Sequence, residues 1–401
     1  MVGVVVDGAH IPPPSGGSAF PRTVEASASW ELPEAIPPWP FSRTDRCLVH
    51  CCADMEPVRL AVVGGGDNGS KHARLVSSQS GCSLVGICDI DSRCRSVAER
   101  FGVPFYQDLE ALLDERNPDG AIIVTPAGTH ASIAEDCTRA AVDILVEKPI
   151  ADTLFTAQRI VQLANEAGCQ VLVGHQRRHN PLVREARTIV QDGTLGQLIA
   201  VSMLWTLLKP ADYYKVDWRC RRPDGGPVLI NLVHELDILR FICGEIRQVY
   251  AQSASKARGL EVEDSLSITL SFHTGALGSI LASDATPSPW SYESASGENP
   301  MYFRTTQDCY HFLGSHASLA FPTMELWRYA DPAQAGWQHP LEASRRKVAR
   351  ADPLALQLEH FCRVVRREES PVVGGRDAMR SLAVALAVLE SVDRNIPIVL
   401  D

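Results

Sequence analysis

From Val58 onward, short β-branched runs alternate with stretches whose apolar residues recur every three or four positions. VRLAVVG, SLVGICDID, GAIIVTP, DILVEKP and CQVLVGHQ read as buried strands. NGSKHARLVSSQ, SRCRSVAERFG (closed by Gly102), HASIAEDCTRAA and TLFTAQRIVQLANEAG, lying between them, read as amphipathic helices. Strands separated by helices of this length need crossover connections, which predicts an α/β unit with a doubly wound parallel sheet over residues 56–176.

The pattern then changes. VREARTIVQDG and PVLINLVHELDILRFICG have a helical period and QLIAVSMLWTLL reads as a strand, while EDSLSITLSF and GALGSILASDA alternate apolar and polar residues with a turn between them. HFLGSHASLAF reads as one further strand. Successive period-two segments predict an antiparallel sheet covered on one face. DPLALQLEHFCRVVRREE and GRDAMRSLAVALAVLESVDRN are late helices expected to pack back on the body, and no internal repeat is present. Domain boundaries are expected at 1–55, 56–176 and 177–401.

Residues 1–55 stand apart. They hold eight of the 26 prolines and sustain no period, so they read as a disordered extension or as a start placed upstream of Met55. A basic residue before the short apolar run is missing, which argues against a signal peptide. Weak organelle targeting stays open.

The formal charge of −10, with no long run of Lys or Arg, argues against nucleic acid or an anionic membrane as the main partner. No segment is apolar enough to span a bilayer. The twelve cysteines form no C-x-x-C pair, so no zinc or other metal site is expected. They include Cys47, Cys51 and Cys52 near the start, and several others lie in apolar runs. Reduced thiols in a cytoplasmic protein are the expectation.

AVVGGGDNGSKHARL carries Gly64, Gly66 and Gly69 as G-x-G-x-x-G. The pattern alone is weak, but here it follows the first strand and opens the first helix. In that place glycines let the backbone approach a pyrophosphate and the helix N-terminus favours its charge. Asp89 ends the second strand 20 residues after Gly69, where a carboxylate accepts from ribose hydroxyls and repels a 2′-phosphate. This favours NAD. Arg93, one turn on, keeps NADP open.

Lys148, in VEKPIA, closes the fifth strand, where open parallel sheets place their ligands, and Pro149 restricts the residues before it to extended geometry. GHQRRHN follows the next strand with Gln176, Arg177, Arg178 and His179. Asn231, His234 and Asp237 recur every three residues on one face of an otherwise apolar helix. Left unpaired in a core, each would cost about 1–3 kcal/mol.

GGGDNGSKH, TPAGTH, EKP and GGPVLINLVHELDILRFICG, in this order, resemble the Gfo/Idh/MocA oxidoreductases over residues 56–401. The resemblance implies a Rossmann domain followed by an α+β domain with a large, mostly antiparallel open sheet used for dimer or tetramer contacts. It also implies hydride transfer between NAD(P) and a secondary hydroxyl or carbonyl of a sugar, cyclitol or diol. By this resemblance Lys148 polarises the substrate oxygen and His234 takes the hydroxyl proton. Arg177, Asn231 and Asp237 lie near the substrate. Asp67 and Asn68 of the glycine turn, Thr125, Pro126 and His130 of TPAGTH, Glu147 and Lys148 of EKP, and Gln176 line the cofactor. Two departures stand out: the aspartate that many members carry four residues before the histidine is Ile230 here, and the first glycine before that helix is Asp224.

Tyr213, Trp218, Arg219, Trp290 and Tyr292 form a candidate substrate wall, with loop packing at an oligomer contact as the alternative. Two other functions compete with a dehydrogenase. A non-catalytic dinucleotide-binding regulator is expected to lose Lys148 or His234, and a glycoside hydrolase of the same superfamily to retain NAD without net NADH release.

Overall fold

The computed structural model describes residues 56–223 and 225–400, so the readings of residues 1–55, of Cys47, Cys51 and Cys52, and of Asp224 lie outside the described residues. The first half is built from β1 (Val58–Val63), α1 (Asp67–Ser78), β2 (Cys82–Cys88), α2 (Arg95–Phe101), β3 (Phe105–Tyr106), α3 (Leu109–Arg116), β4 (Gly120–Ile123), α4 (His130–Arg139), β5 (Asp143–Val146), α5 (Leu154–Ala167) and β6 (Val171–Val173). The six strands are parallel in the order β3-β2-β1-β4-β5-β6. The order reverses between β1 and β4, and a crevice opens there at the strands' C-terminal ends. β3 and α3 have no counterpart in the sequence reading. β3 is two residues long, and α3 buries only Leu112 and Leu113, too little to stand out as a period.

The second half contains α6 (Pro181–Gln191), β7 (Leu198–Thr206), α7 (Val233–Cys243), β8 (Ile246–Ala254), β9 (Ser265–Phe272), β10 (Leu277–Ser283), α8 (Tyr292–Ser296), β11 (Tyr310–Gly314), β12 (Ala317–Phe321), β13 (Glu325–Arg328), β14 (Glu342–Arg345), α9 (Pro353–Val365), α10 (Gly375–Arg394) and β15 (Ile398–Val399). Nine strands form one open sheet in the order β14-β13-β12-β11-β7-β10-β9-β8-β15. Every pair in it is antiparallel except β7 with β10. HFLGSHASLAF is therefore two strands, β11 and β12, that fold back on each other rather than one. The helix expected from Pro227 begins as a π-helical turn over Val228–Leu232 and becomes α-helical only at Val233.

Alternation sets the covered face of the sheet. Val201, Met203 and Trp205 of β7 and Leu266, Ile268 and Leu270 of β9 point into one core, which α7 and α10 roof. α10 serves both halves. Its Ala378 and Leu382 join the core of the parallel sheet, while Val384, Ala385 and Val388 join that of the second sheet. α9 places Leu358, Phe361 and Cys362 against the other face of the parallel sheet. No described helix is long and apolar enough to cross a membrane.

Candidate active site

The glycine turn is held open by sterics. Gly64 has φ +106°, and a Cβ there would lie 2.8 Å from the carbonyl oxygen of Val124. A Cβ on Gly69 would lie 1.8 Å from the oxygen of Gly64, so α1 approaches β1 this closely only with glycine in place. Gly66, at the N-cap of α1, has no atom within 4 Å of where its Cβ would stand. Asp67 and Asn68 follow, exposed in the first turn. Asp89 closes the floor: its Oδ2 accepts from Gly65 N at 2.6 Å and its Oδ1 from Asp91 N at 2.8 Å. Beside the turn lies a cleft of about 340 Å3, lined among others by Gly66, Asp67, Ser70, Asp91, Arg93 and Arg100. Arg93 pairs with Asp91, with Nη2 to Oδ2 at 2.6 Å. An open backbone cradle at a helix N-terminus, next to a carboxylate at the end of β2, fits a dinucleotide.

Thr125 and Pro126 form the turn after β4, where Thr125 Oγ1 accepts from Thr129 Oγ1 at 2.8 Å. His130, expected beside the cofactor, is buried, and both its nitrogens are taken by backbone carbonyls: Ile150 at 3.1 Å and Thr125 at 2.9 Å. It staples the turn after β4 to the segment that carries Lys148. Glu147 is tied to α1 through His72 Nε2 at 2.9 Å. Burial works to raise the Glu147 carboxyl, but the hydrogen bond and charge of His72 outweigh it and hold the group below its usual range.

Lys148, half-buried at the end of β5 and followed by a cis bond to Pro149, donates from Nζ to the carbonyl oxygen of Ile230 at 3.0 Å. That oxygen lies in the π-helical turn that leads into α7, four residues before His234. Loss of hydration lowers the lysine from 10.5 to about 8. His234 is buried, and its Nδ1 is sealed without a partner. Burial first, then the charges of Lys148 and Arg177, hold the imidazole well below its usual value, so it is neutral near pH 7. A neutral imidazole beside an ammonium can accept a proton where the ammonium steadies a developing alkoxide.

Other residues lie differently from expectation. The Arg177 guanidinium is spent on Glu235 and on Glu293 (2.7 Å), and stacks 3.9 Å above the ring of Tyr292. Asp237 receives Arg178 at 2.6 and 2.8 Å and Ser381 Oγ at 2.6 Å, and is 1% exposed. The polar atoms of both residues are thus committed to protein partners and buried. Tyr292 likewise belongs to the core rather than to a wall. Gln176 donates to Glu298 at 3.4 Å. Trp218 and Trp290 are exposed, 51% and 42%.

Asn231 does face chemistry, by way of a residue that the sequence reading passed over. Lys209 Nζ donates to Asn231 Oδ1 at 2.8 Å and pairs with Asp284 Oδ2 at 3.2 Å. The Tyr213 ring lies 4.5 Å from Lys209 Nζ and 4.2 Å from the Arg219 guanidinium carbon. A signal was available: Lys209-Pro210 ends β7 as Lys148-Pro149 ends β5. For His72, an ordinary position within α1, there was none.

Comparison with known proteins bears on the family and the fold. Residues 58–175 match the oxidoreductase family with an NAD-binding Rossmann fold, and residues 183–320 match the GFO/IDH/MocA C-terminal domain. The scyllo-inositol 2-dehydrogenase (NAD(+)) of Bacillus subtilis is 26% identical over 86% of this chain and 96% of its own length. The myo-inositol 2-dehydrogenase of Thermotoga maritima is 26% identical over 56% of this chain and 67% of its own. The WlbA dehydrogenase of Bordetella pertussis, solved with NADH and UDP-GlcNAcA, superposes with a TM-score of 0.71 at 23% identity, covering 86% of this chain and 99% of that one. With both halves matched in order, the chain belongs to the Gfo/Idh/MocA family of NAD-binding oxidoreductases.

Proposed function

We propose that the protein is a dehydrogenase that oxidises a secondary hydroxyl of a cyclitol or sugar, or reduces the matching carbonyl, with NAD in preference to NADP. One observation carries this reading: Lys148, at the C-terminal edge of the parallel sheet, is bonded to the turn that leads into α7 and its neutral His234. Gly64, Gly66 and Gly69 hold the dinucleotide backbone, and the Asp89 carboxylate meets the ribose hydroxyls and repels a 2′-phosphate. The bound nucleotide supplies the hydride acceptor. Lys148 holds the substrate oxygen and steadies the alkoxide, while His234 accepts the hydroxyl proton. The relatives named for inositol dehydrogenation support a cyclitol or a similar polyol as substrate.

A homo-oligomer assembled through the open sheet is part of the same reading. The uncovered face of its central strands carries Ser202, Leu204, Thr269, Leu277, Ser279 and Leu281, without a charged side chain among them. Leu277 and Leu281 are 59% and 53% exposed. Such a face is suited to a second copy, and Leu281→Glu followed by light scattering tests it by the loss of the assembly.

The function is tested with a panel of cyclitols, aldoses and polyols and NAD+, read by NADH absorbance, on the wild type and Lys148→Ala. At least one panel member should be turned over, with a roughly 10²–10⁴-fold lower rate in the variant and NADH binding retained. Turnover unaffected by Lys148→Ala overturns the assignment.

A further inference from the structure

His234 lacks the carboxylate that its family commonly supplies four residues earlier, because Ile230 occupies that position and offers only its carbonyl to Lys148. A catalytic imidazole without an orienting partner is free to flip, and a flip exchanges a nitrogen for a carbon at the reacting position. The environment of His234 holds a second feature of the same kind. His175, just beyond β6, is also buried, and its Nδ1 too is sealed without a hydrogen bond. The two rings meet edge to face, with centroids 6.1 Å apart and planes at 85°. Behind His175 stands Asp237, its Oδ2 3.5 Å from His175 Nδ1. Asp237 is itself immobilised by Arg178 and Ser381.

We propose that His175, backed by the Asp237 carboxylate 3.5 Å from its Nδ1, is the positioning residue for His234. On this view the carboxylate–imidazole support missing at Ile230 reaches the base from the end of the parallel sheet, at one ring's remove. The inference rests on the reading of His234 as the base. The edge-to-face contact with His175 blocks rotation of the His234 ring and so fixes which nitrogen meets the substrate hydroxyl. The charges facing His175 are those of Asp237, Arg178, Asp377 and Lys148. The charges facing His234 are those of Lys148 and Arg177. Both imidazoles are held neutral by burial. The pair therefore orients without adding charge to the cleft.

The test is ring 15N NMR of histidine-labelled full-length protein, with and without saturating NAD+, for the wild type, His175→Phe and His175→Gln. The His234 signals are assigned by their loss in His234→Ala. In the wild type His234 should show the separated nitrogen shifts of a single neutral tautomer. A His234 ring freed to turn meets surroundings that favour either tautomer, so both variants should shift these towards the averaged values of tautomer exchange. Phe keeps the bulk of the ring and Gln keeps a donor for Asp237, so circular dichroism melts identify any variant that does not fold, and the other then decides. Unchanged His234 shifts in the folded variants overturn the proposal. Failure of NADH to bind in a fluorescence titration would instead count against the dehydrogenase reading, and the spectra without nucleotide would still decide the role of His175.

Discussion

Lys148 reaches across to the carbonyl oxygen of Ile230 at 3.0 Å, so the ammonium at the edge of one sheet is moored to the turn that presents His234 over the other. The pH dependence should carry its signature. The folded value of Lys148 lies below the unfolded one, at about 8 against 10.5, so the ammonium is lost as pH rises through about 8. We expect kcat/KM to fall on the alkaline side with a midpoint near that pH. In Lys148→Arg, which stays protonated, this limb should vanish at reduced overall rate. A limb that stays in place in the arginine variant assigns it to another group.

The Asp89 carboxylate is expected to discriminate between the two nucleotides. Asp89→Ala removes both the acceptor for the ribose hydroxyls and the repulsion of a 2′-phosphate. NADH affinity should drop about tenfold or more, the worth of a charge-assisted hydrogen bond, while NADPH affinity should hold or improve. Fluorescence titration of the two reduced nucleotides measures both, and equal losses would refute the ribose role.

The ion pairs of Arg177 with Glu235 and Glu293 predict an effect on stability. Arg177→Met would strand Glu235 and Glu293 in the core, and Glu235 is 0% exposed. Burial already pushes the Glu235 carboxyl up to about 7, against the pull of Arg177. Breaking such a pair from one side costs about 3–5 kcal/mol, visible as a lower urea midpoint. A variant with wild-type stability and a raised KM would return Arg177 to the substrate.

His179 sets an acid limit. Its ring lies 5.2 Å from that of His360, its Nε2 is sealed without a partner, and burial followed by the charge of neighbouring His360 and Arg184 lowers it to about 3. The folded value is below the unfolded 6.5, so stability should decline as pH falls from about 6.5 towards 3, by up to about 1.4 kcal/mol per pH unit for this group. Chemical denaturation at a series of pH values should show a shallower decline in His179→Leu than in the wild type.

Much of the architecture was legible because it rests on periodicity. The alternation of strands and helices, the glycine turn and the strand-end position of Lys148 each follow from local pattern, and the structure has them where the pattern put them. What escaped was set by partners far away in the chain. Arg177 and Asp237 look like site residues because charge on an apolar face calls for an explanation. That explanation is Glu235, Glu293, Arg178 and Ser381, which no spacing rule connects to them. His130 likewise sits in a cofactor-like motif but spends both nitrogens on carbonyls. The π-helical turn at Val228–Leu232 has no compositional mark, yet it decides which carbonyl Lys148 meets.

α10 constrains how the molecule can breathe. One end is sunk in the parallel sheet's core through Ala378 and Leu382, the other in the second sheet's core through Val384, Ala385 and Val388. A clamshell swing of the lobes would tear one of these anchorages out, at about 1.5–3 kcal/mol for each large side chain exposed. An anchorage of this kind opposes a swing of the two halves, so any closure over a bound molecule is expected from surface segments such as the one carrying Tyr213 and Trp218.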